Sequence, residues 1–336
     1  MSTDPIVTVL LPVRDAAQTL PACLRSVARQ VEARLRCLVI DDGSTDESAE
    51  IAAAFAAADR RFELVRRPAR GLVETLQLGL TRCDTELVAR MDADDLMHRR
   101  RLRRQVDLMR RAPEVDAAGC HVRLFPRSSL GPGMRAYERW LGSITTPDDI
   151  ARDRYVECPI AHPTLIARTN VLAEVGYRDQ GWPEDYDLVL RLLARGHRLD
   201  MCPERLLSWR HGPGRLSRTD PTYDLERFTE CKAAFIANDF LSRDDGYVLW
   251  GYGRTGRTLA RHLRTHGKRP ELIVDVHPGR QGQRILGAEV IAPDALTHDD
   301  RRKLVVSVAR EGPRGEVRAA LNARRLREGR DFICAA

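Results

Sequence analysis

The sequence is short of several things, and each shortage closes off a class of protein. Its 336 residues hold no apolar run near the roughly 20 residues that a membrane-spanning helix needs. The start Met1-Ser2-Thr3-Asp4-Pro5 lacks the basic and apolar regions of a secretory leader, so no leader is expected. Eight cysteines (Cys23, Cys37, Cys83, Cys120, Cys158, Cys202, Cys231 and Cys334) are scattered, without a Cys-x-x-Cys pair. That argues against a zinc site or a disulfide frame and for reduced thiols in a cytoplasmic protein. Aromatic residues are only 5% of the chain, and no stretch interleaves basic and aromatic residues as a base-stacking surface does. Nucleic acid is therefore not expected as a partner. No Gly-x-Gly-x-x-Gly follows the first apolar stretch either, which speaks against a dinucleotide fold at that end.

What is present is ordinary in bulk and specific in detail. A hydrophobic content of 43% supports sizeable cores, and the length favours two domains over one. The net charge of +7 points to anionic partners, either lipid headgroups or phosphorylated substrates.

Ile6–Leu11 is a continuous apolar run ended by Pro12, the mark of a strand buried on both faces. Leu20, Cys23, Leu24 and Val27 then recur at helical spacing. Cys37–Ile40 predicts a second strand, running into Asp41-Asp42-Gly43-Ser44, and Ser44-Thr45-Asp46-Glu47 reads as a capping box for the next helix. Phe62–Val65 is a third strand, Gly71 opens a helix carrying Leu72, Leu76 and Leu80, and Leu87–Met91 is a fourth strand. A fifth is expected at Val115–Gly119, after which the alternation loosens. Alternating strands and helices predict an α/β fold, a mostly parallel sheet with helices on both faces.

Carboxylates gather where these strands end: Asp41 and Asp42 after the second, and Asp92, Asp94 and Asp95 after the fourth. Pro12-Val13-Arg14 ends the first. Ligands in open α/β sheets bind beyond the carboxyl ends of the strands. Aspartates at i and i+2 on a chain leaving a strand can reach one hard divalent cation, Mg²⁺ or Mn²⁺, together with substrate phosphates. The competing reading makes Asp94 or Asp95 a cap of the Arg-rich helix predicted over Arg99–Arg111. Asp42 likewise either bonds a nucleoside or braces the turn at Gly43. Glu184-Asp185, ahead of a helix with Leu188, Leu192 and Leu193, is either a first-turn cap or a general base.

Residues from about Ile6 to Ser217 resemble the family 2 glycosyltransferases in the order and spacing of their motifs. These are VTVLLPVRD, LVIDDGSTD, the Gly71–Gly79 helix, ELVARMDADDL with RLRRQ, PEVDAAG, AHPTLIAR, and WPEDYDLVLRLLARG with LLSWRH. The resemblance implies a GT-A nucleotide-diphospho-sugar transferase fold. It implies an inverting enzyme that moves a sugar from a nucleotide sugar, a UDP-sugar first among the candidates, to an acceptor hydroxyl. It assigns donor contacts to Pro12, Val13, Arg14, Asp41, Asp42, Arg90 and Asp92. Asp92 and Asp94, with His211 as a further candidate, become the site for Mn²⁺ or Mg²⁺. Asp185, with Glu184 beside it, becomes the catalytic base. The expected setting is polysaccharide or glycoconjugate synthesis, with a saccharide or lipid-linked acceptor and peripheral association at the inner face of a membrane.

Three positions depart from the family pattern. Relatives carry Asn near Arg14 or Asp15, Asn where Gln77 stands, and Pro where Arg99 stands. The departures bear on donor contacts rather than on the metal and base positions.

In the last third, Tyr223–Leu241 predicts a connecting helix and Tyr247–Trp250 a strand. Gly251-Tyr252-Gly253-Arg254-Thr255-Gly256 follows, then a helix, then the strand Leu272–Asp275. Strand before, helix after and an acidic residue roughly twenty positions on are the context that this glycine motif requires. The region resembles the small Rossmann-like domains appended to sugar-modifying enzymes. Gly251, Gly253, Gly256 and Asp275 are thus a candidate second nucleotide site, against the alternative that the glycines only permit close packing. The expected divisions are a GT-A domain at 1–218, a helical linker at 219–244 and a Rossmann-like domain at 245–336. An NAD(P)-dependent, sugar-modifying oxidoreductase and a non-catalytic nucleotide-sugar binding module are the alternatives in function.

Overall fold

The structure is a computed structural model describing residues 4–32, 34–212, 214–297 and 300–336, apart from the side chains of Leu216 and Ser217. Met1–Thr3, at the start of the chain, lie outside the described residues. The chain divides into two compact units. The first comprises Met1–Ile150, Pro159–Gln180 and Arg191–Arg215; the second comprises Ala151–Cys158, Gly181–Leu190 and Leu216–Ala336.

The first unit is built on β1 (Val7–Val13), β2 (Leu35–Asp42), β3 (Phe62–Arg67), β4 (Leu87–Arg90), β5 (Leu96–Met97), β6 (Ala117–Phe125), β7 (Ile166–Arg168) and β8 (Leu199–Arg210). They form one sheet in the order β3-β2-β1-β4-β7-β6-β8-β5. The pairs β1–β2, β2–β3, β1–β4 and β6–β8 are parallel, whereas β7 and β5 run against their neighbours. Every residue of β1 is buried, as the unbroken apolar run requires of a central parallel strand. Helices α1 (Leu20–Ala28), α2 (Ser48–Ala58), α3 (Leu72–Leu80) and α4 (Arg101–Arg111) alternate with the strands. α1 buries Leu20, Cys23, Leu24 and Val27, the stripe read from its period, and α3 buries Leu76 and Leu80.

Register aligns the strand ends. Val13 pairs with Asp41 and Leu10 with Arg90, and the Met91 amide donates to Leu10 O at 3.1 Å. The parallel topology therefore delivers the ends of β1, β2 and β4 to one edge.

Several local expectations are corrected. The capping box does not form: α2 begins at Ser48 after Glu47, with no side-chain cap. Thr45 N–H is instead taken by Asp15 Oδ1 at 2.7 Å, and Ser44 Oγ accepts from Asp15 N. The fifth strand, expected at Val115–Gly119, is β6, displaced to Ala117–Phe125. The loosened stretch beyond it holds a helix, Pro132–Ser143, that buries Glu138, Trp140 and Leu141.

The second unit carries β9 (Gly246–Trp250), β10 (Arg269–Val274), β11 (Arg284–Ile285), β12 (Ala288–Ile291), β13 (Leu304–Val306) and β14 (Phe332–Cys334), in the order β11-β12-β10-β9-β13-β14. All of its pairings are parallel except β11–β12. β9 is flanked by β10 on one side and β13 on the other, so chain order reverses at its end. Polar contacts explain why Ala151–Cys158 joins this unit. Asp153 is bonded by Arg318, Arg154 reaches Asp239 at 2.9 Å, and Lys232 Nζ donates to Val156 O at 3.1 Å. Among the described residues, no helix is long and apolar enough to cross a membrane.

Candidate active site

Pro12 and Val13 are buried at the end of β1, while Arg14 is exposed. The Arg14 guanidinium lies 3.8 Å from Asp42 Oδ2. Asp41 is buried and accepts from the Ser44 amide at 3.3 Å. Asp42 is also buried, and its oxygens accept the Arg70 and Gly71 amides at 2.9 and 2.8 Å. Asp42 thus ties the end of β2 to the start of α3 as well as lying beside the turn at Gly43. That turn needs glycine: its φ is +72°, and a Cβ would lie 2.6 Å from Ala69 N. Asp15, at φ 48°, uses its carboxylate on Thr45, whose backbone N–H holds the Asp15 carboxyl below its ordinary pKa.

Beyond β4, Asp92, Asp94 and Asp95 each present a carboxylate oxygen, all within 4.8 Å of one another. The helix-cap reading of Asp94 and Asp95 does not hold. The segment β5 intervenes, and α4 begins only at Arg101 without a side-chain cap. Asp95 instead reaches across the sheet, where its Oδ1 accepts the Arg210 amide at 2.7 Å at the end of β8. Its Oδ2 is buried with no hydrogen-bond partner among the described residues. Arg210 closes the other side, with Nε donating to Asp94 O at 2.7 Å and its guanidinium stacked 4.6 Å over the Phe125 ring.

Cations surround these acids. Buried Arg90 pairs with Asp92 Oδ1 at 2.7 Å, and Arg215 lies 3.8 Å from Asp92 Oδ2. The three carboxyls are consequently driven apart. Burial works to raise the Asp92 pKa, but the Arg90 and Arg215 guanidiniums outweigh it and hold Asp92 low. Burial, helped by the negative charge of Asp92, raises Asp94. Burial and both neighbouring aspartates push Asp95 well up.

A divalent cation fits this donor set. The ligands on offer are hard oxygens, as Mg²⁺ and Mn²⁺ prefer, and Asp95 Oδ2 is buried without a hydrogen-bond partner among the described residues. The fit is to Asp92, Asp94 and Asp95. His211 is not in that group of atoms; it is buried just past β8, its amide donating to Phe125 O at 2.7 Å.

Sequence reasoning passed over several residues here. Arg210 and Arg215 lie beside the quoted Trp209-Arg210-His211, but nothing local shows that they meet Asp92–Asp95. His162 Nε2 bonds Tyr177 Oη at 2.9 Å, and Gln77 Oε1 accepts the Tyr177 amide at 2.9 Å. Gln77, a departure from the family pattern, therefore binds backbone. Cys23 Sγ donates to Asp92 O at 3.3 Å, linking α1 to the acidic loop.

In the second unit, Glu184 and Asp185 open the helix Glu184–Ala194. Glu184 is buried and accepts from Tyr223 Oη at 2.5 Å. Asp187 is wholly buried and accepts from Trp182 Nε1 at 3.1 Å. Asp185 is only half-buried, and its Oδ1 accepts the Tyr186 amide at 2.7 Å. Of the three, Asp185 is the least buried.

The glycine motif lies at the end of β9, where the strand order reverses. Gly251 has φ +96°, and a Cβ at Gly256 would lie 2.0 Å from Gly251 O. At Gly253 a Cβ would meet nothing within 4 Å. Asp275 accepts the Tyr252 amide at 2.7 Å and the His277 amide at 2.8 Å, and pairs with Arg280 at 3.0 Å.

Comparison with known proteins bears on the family and the fold. Residues 8–175, half of the chain, match the model of the family "Glycosyl transferase family 2". The amylovoran biosynthesis glycosyltransferase AmsE of Erwinia amylovora is 29% identical over 203 residues, covering 59% of this chain and 73% of that one. The putative glycosyltransferase EpsE of Bacillus subtilis (strain 168) is 27% identical over 232 residues, covering 67% and 80%. Among solved structures, S. aureus TarS 1–349 in complex with UDP aligns with a TM-score of 0.54 at 16% identity, covering 77% of this chain and 71% of that one. The mannosyltransferase PcManGT from Pyrobaculum calidifontis, in complex with GDP-Man and Mn²⁺, aligns with a TM-score of 0.50 at 18% identity, covering 78% and 70%. The fold is that of the GT-A glycosyltransferases, and the chain belongs to glycosyl transferase family 2.

Proposed function

We propose that this glycosyltransferase is metal-dependent and inverting, with its donor diphosphate bound at Asp92, Asp94 and Asp95. The observation that carries the reading is the cluster of three carboxylates beyond β4, one of them with a buried oxygen that nothing in the described chain bonds. Asp92 and Asp94 would hold Mn²⁺ or Mg²⁺, with Asp95 beside them in the same cluster and His211 the further candidate. When bound, the cation offsets the negative charge that builds on the departing diphosphate.

The protein's own residues do the rest. Pro12, Val13, Arg14, Asp41 and Asp42 border the nucleoside at the ends of β1 and β2, and Arg90 keeps Asp92 ionised and in place. Asp185 takes the proton from the acceptor hydroxyl as that oxygen attacks the anomeric carbon. Such a single displacement inverts the anomeric configuration. The assignment of Asp185 rests on its motif and on its being less buried than Glu184 and Asp187. Glu184 holds the start of its helix through Tyr223.

UDP-sugars come first as donors because the TarS complex holds UDP. The names of AmsE and its relatives support polysaccharide or glycoconjugate synthesis, with a saccharide or lipid-linked acceptor. A cytoplasmic location against an inner membrane face matches the exposed arginines Arg99, Arg100, Arg103 and Arg110. The boundaries at 218 and 244 stand as proposals too, as does the Rossmann-like character of 245–336.

Gly251, Gly253, Gly256 and Asp275 remain a second nucleotide site in the proposal. Open space at Gly253 favours it, since that glycine is the one a pyrophosphate approaches. The decisive experiment is a panel of nucleotide sugars scored for hydrolysis with Mn²⁺, Mg²⁺ or EDTA. Activity that needs a divalent ion and disappears in Asp94→Ala supports the reading; full activity in EDTA rejects it.

A further inference from the structure

We propose that Arg101 is a positioning residue for the acidic cluster, working with Gln105 to fix where Asp92 and Arg90 stand; the inference rests on the reading of that cluster as the donor–metal site. The charge pattern of α4 predicts a solvated face, and Arg100, Arg103 and Arg104 lie on it. Arg101 falls on a position of the family motif RLRRQ, where internal packing or pairing is expected, and it is buried. It heads the wholly buried side chains by volume.

Its hydrogen bonds among the described residues are all to neutral groups, although the charges of Asp95 and Asp92 also act on it. Nη2 donates to Arg90 O at 2.9 Å and approaches Leu165 O at 3.5 Å, Nε donates to Gln105 Oε1 at 3.0 Å, and Nη1 lies 3.6 Å from Met91 Sδ. A buried guanidinium satisfied only by neutral acceptors is costly, and a packing role alone could be filled by leucine or methionine. The acceptors show what it does. Arg90 O is the last carbonyl of β4, two residues before Asp92, and Arg90 N itself donates to Leu165 O at 2.8 Å. Gln105 Nε2 donates to Thr164 O at 2.7 Å, within the turn that carries His162. One guanidinium and one amide therefore bracket two segments, the end of β4 and the His162–Thr164 turn. The Arg90 guanidinium, seated by that bracket, binds Asp92 Oδ1 at 2.7 Å. A planar fork suits two diverging carbonyls in a way that an ammonium does not.

The test is Arg101→Lys, which keeps the charge and loses the fork. Mn²⁺ alone is titrated into metal-free protein and followed by water-proton relaxation. Melting temperature and the kcat and KM of nucleotide-sugar hydrolysis are measured alongside. Changes to groups that orient metal ligands cost about 10–100-fold in affinity or activity. The expected result is Mn²⁺ affinity weakened about 10-fold or more, with kcat lowered more than KM is raised. The exposed-helix control Arg103→Lys should bind Mn²⁺ as the wild type does. Wild-type Mn²⁺ affinity and kcat in Arg101→Lys overturn the proposal, whatever its melting temperature. If Arg101→Lys does not fold, Gln105→Met replaces it; it removes the Thr164 O bond and the Arg101 Nε acceptor. Weakened Mn²⁺ binding there supports the bracket, and unchanged binding overturns it. Asp94→Ala separates the two levels. Mn²⁺ binding that survives Asp94→Ala, or is missing in the wild type, rejects the site reading. Binding lost in Asp94→Ala but intact in Arg101→Lys rejects only the positioning role.

Discussion

Asp95→Asn tests the acidic cluster from two sides at once. The Asp95 carboxyl is fully buried, its Oδ1 accepts Arg210 N–H at 2.7 Å, and its Oδ2 has no bonding partner among the described residues. Burial, reinforced by Asp92 and Asp94, pushes its pKa well above the ordinary carboxylate value. The folded state then keeps a proton that the unfolded chain releases, so stability falls as pH rises from the unfolded pKa towards the folded one. Asparagine copies the neutral form and keeps an oxygen for Arg210. In EDTA at neutral pH the variant should therefore melt higher than the wild type, by an amount that shrinks below about pH 4, where both states of the wild type are protonated. A tenfold difference in proton affinity between the folded and unfolded chains corresponds to about 1.4 kcal/mol, or about 3–5 °C in a domain of this size class. A higher melting temperature is the expected direction, and its size reads the shift. With Mn²⁺ the order should reverse. A ligand at 100 times its dissociation constant stabilises by about 2.7 kcal/mol, and each tenfold loss of affinity removes about 1.4 kcal/mol. The wild type should gain several degrees from saturating Mn²⁺ and Asp95→Asn little. Differential scanning calorimetry in EDTA and in Mn²⁺ at several pH values reads both effects. An Asp95→Asn protein that melts lower in EDTA, and gains as much from Mn²⁺ as the wild type, would refute the reasoning.

Asp185→Asn should lower kcat for transfer by about 10²–10⁴-fold while nucleotide-sugar affinity stays near wild type in a binding titration; full transfer activity would remove Asp185 from the mechanism. Lys232 is buried with Nζ on Val156 O and Ala335 O at 3.1 and 2.9 Å, and burial lowers its pKa from 10.5 to about 8. The unfolded chain binds the extra proton between those values, so this group adds stability as pH rises from about 8, up to about 3 kcal/mol in full. Lys232→Met lacks that titration, and the stability difference, wild type minus variant, should grow between about pH 7.5 and 9.5 in urea denaturation; a flat difference contradicts it. Gly256→Ala places a Cβ 2.0 Å from Gly251 O and should cost about 1–3 kcal/mol, whereas Gly253→Ala meets open space and should not lower the melting temperature. A nucleotide that stabilises the wild type but not Gly253→Ala supports the second site, and equal stabilisation of both speaks against it.

The parallel sheet of the first unit is readable because burial on both faces writes unbroken apolar runs, and Ile6–Leu11 and Cys37–Ile40 are such runs. Once they are parallel neighbours, their ends must share an edge, so Asp41, Asp42 and Asp92 can be grouped from the amino-acid order alone. The capping box fails for a physical reason: Ser44 and Thr45 find partners on Asp15, across the strand end, which a local pattern does not contain. The same blindness hides the membership of Ala151–Cys158 in the second unit. Its partners Arg318 and Asp239 lie far downstream.

Asp95 and Arg101 show where local pattern fails most. A carboxylate a few residues before a helix scores as a cap, and an arginine-rich helix scores as a solvated face, from which only the family resemblance singles out Arg101. What decides both is distance in sequence: Asp95 bonds the backbone of Arg210, 115 residues on, and Arg101 approaches Leu165 O, 64 residues on. These contacts also account for the basic surroundings of an acidic site. Arg90 and Arg215 hold Asp92 charged, Arg210 bonds the Asp94 backbone, and Arg101 holds the strand end, while Asp94 and Asp95 are left favouring protons. Within this cluster Asp95 Oδ2 has no hydrogen-bond partner among the described residues. A ligand that brings a divalent cation together with a diphosphate would supply both signs of charge: the cation to the aspartates, the phosphates to the arginines.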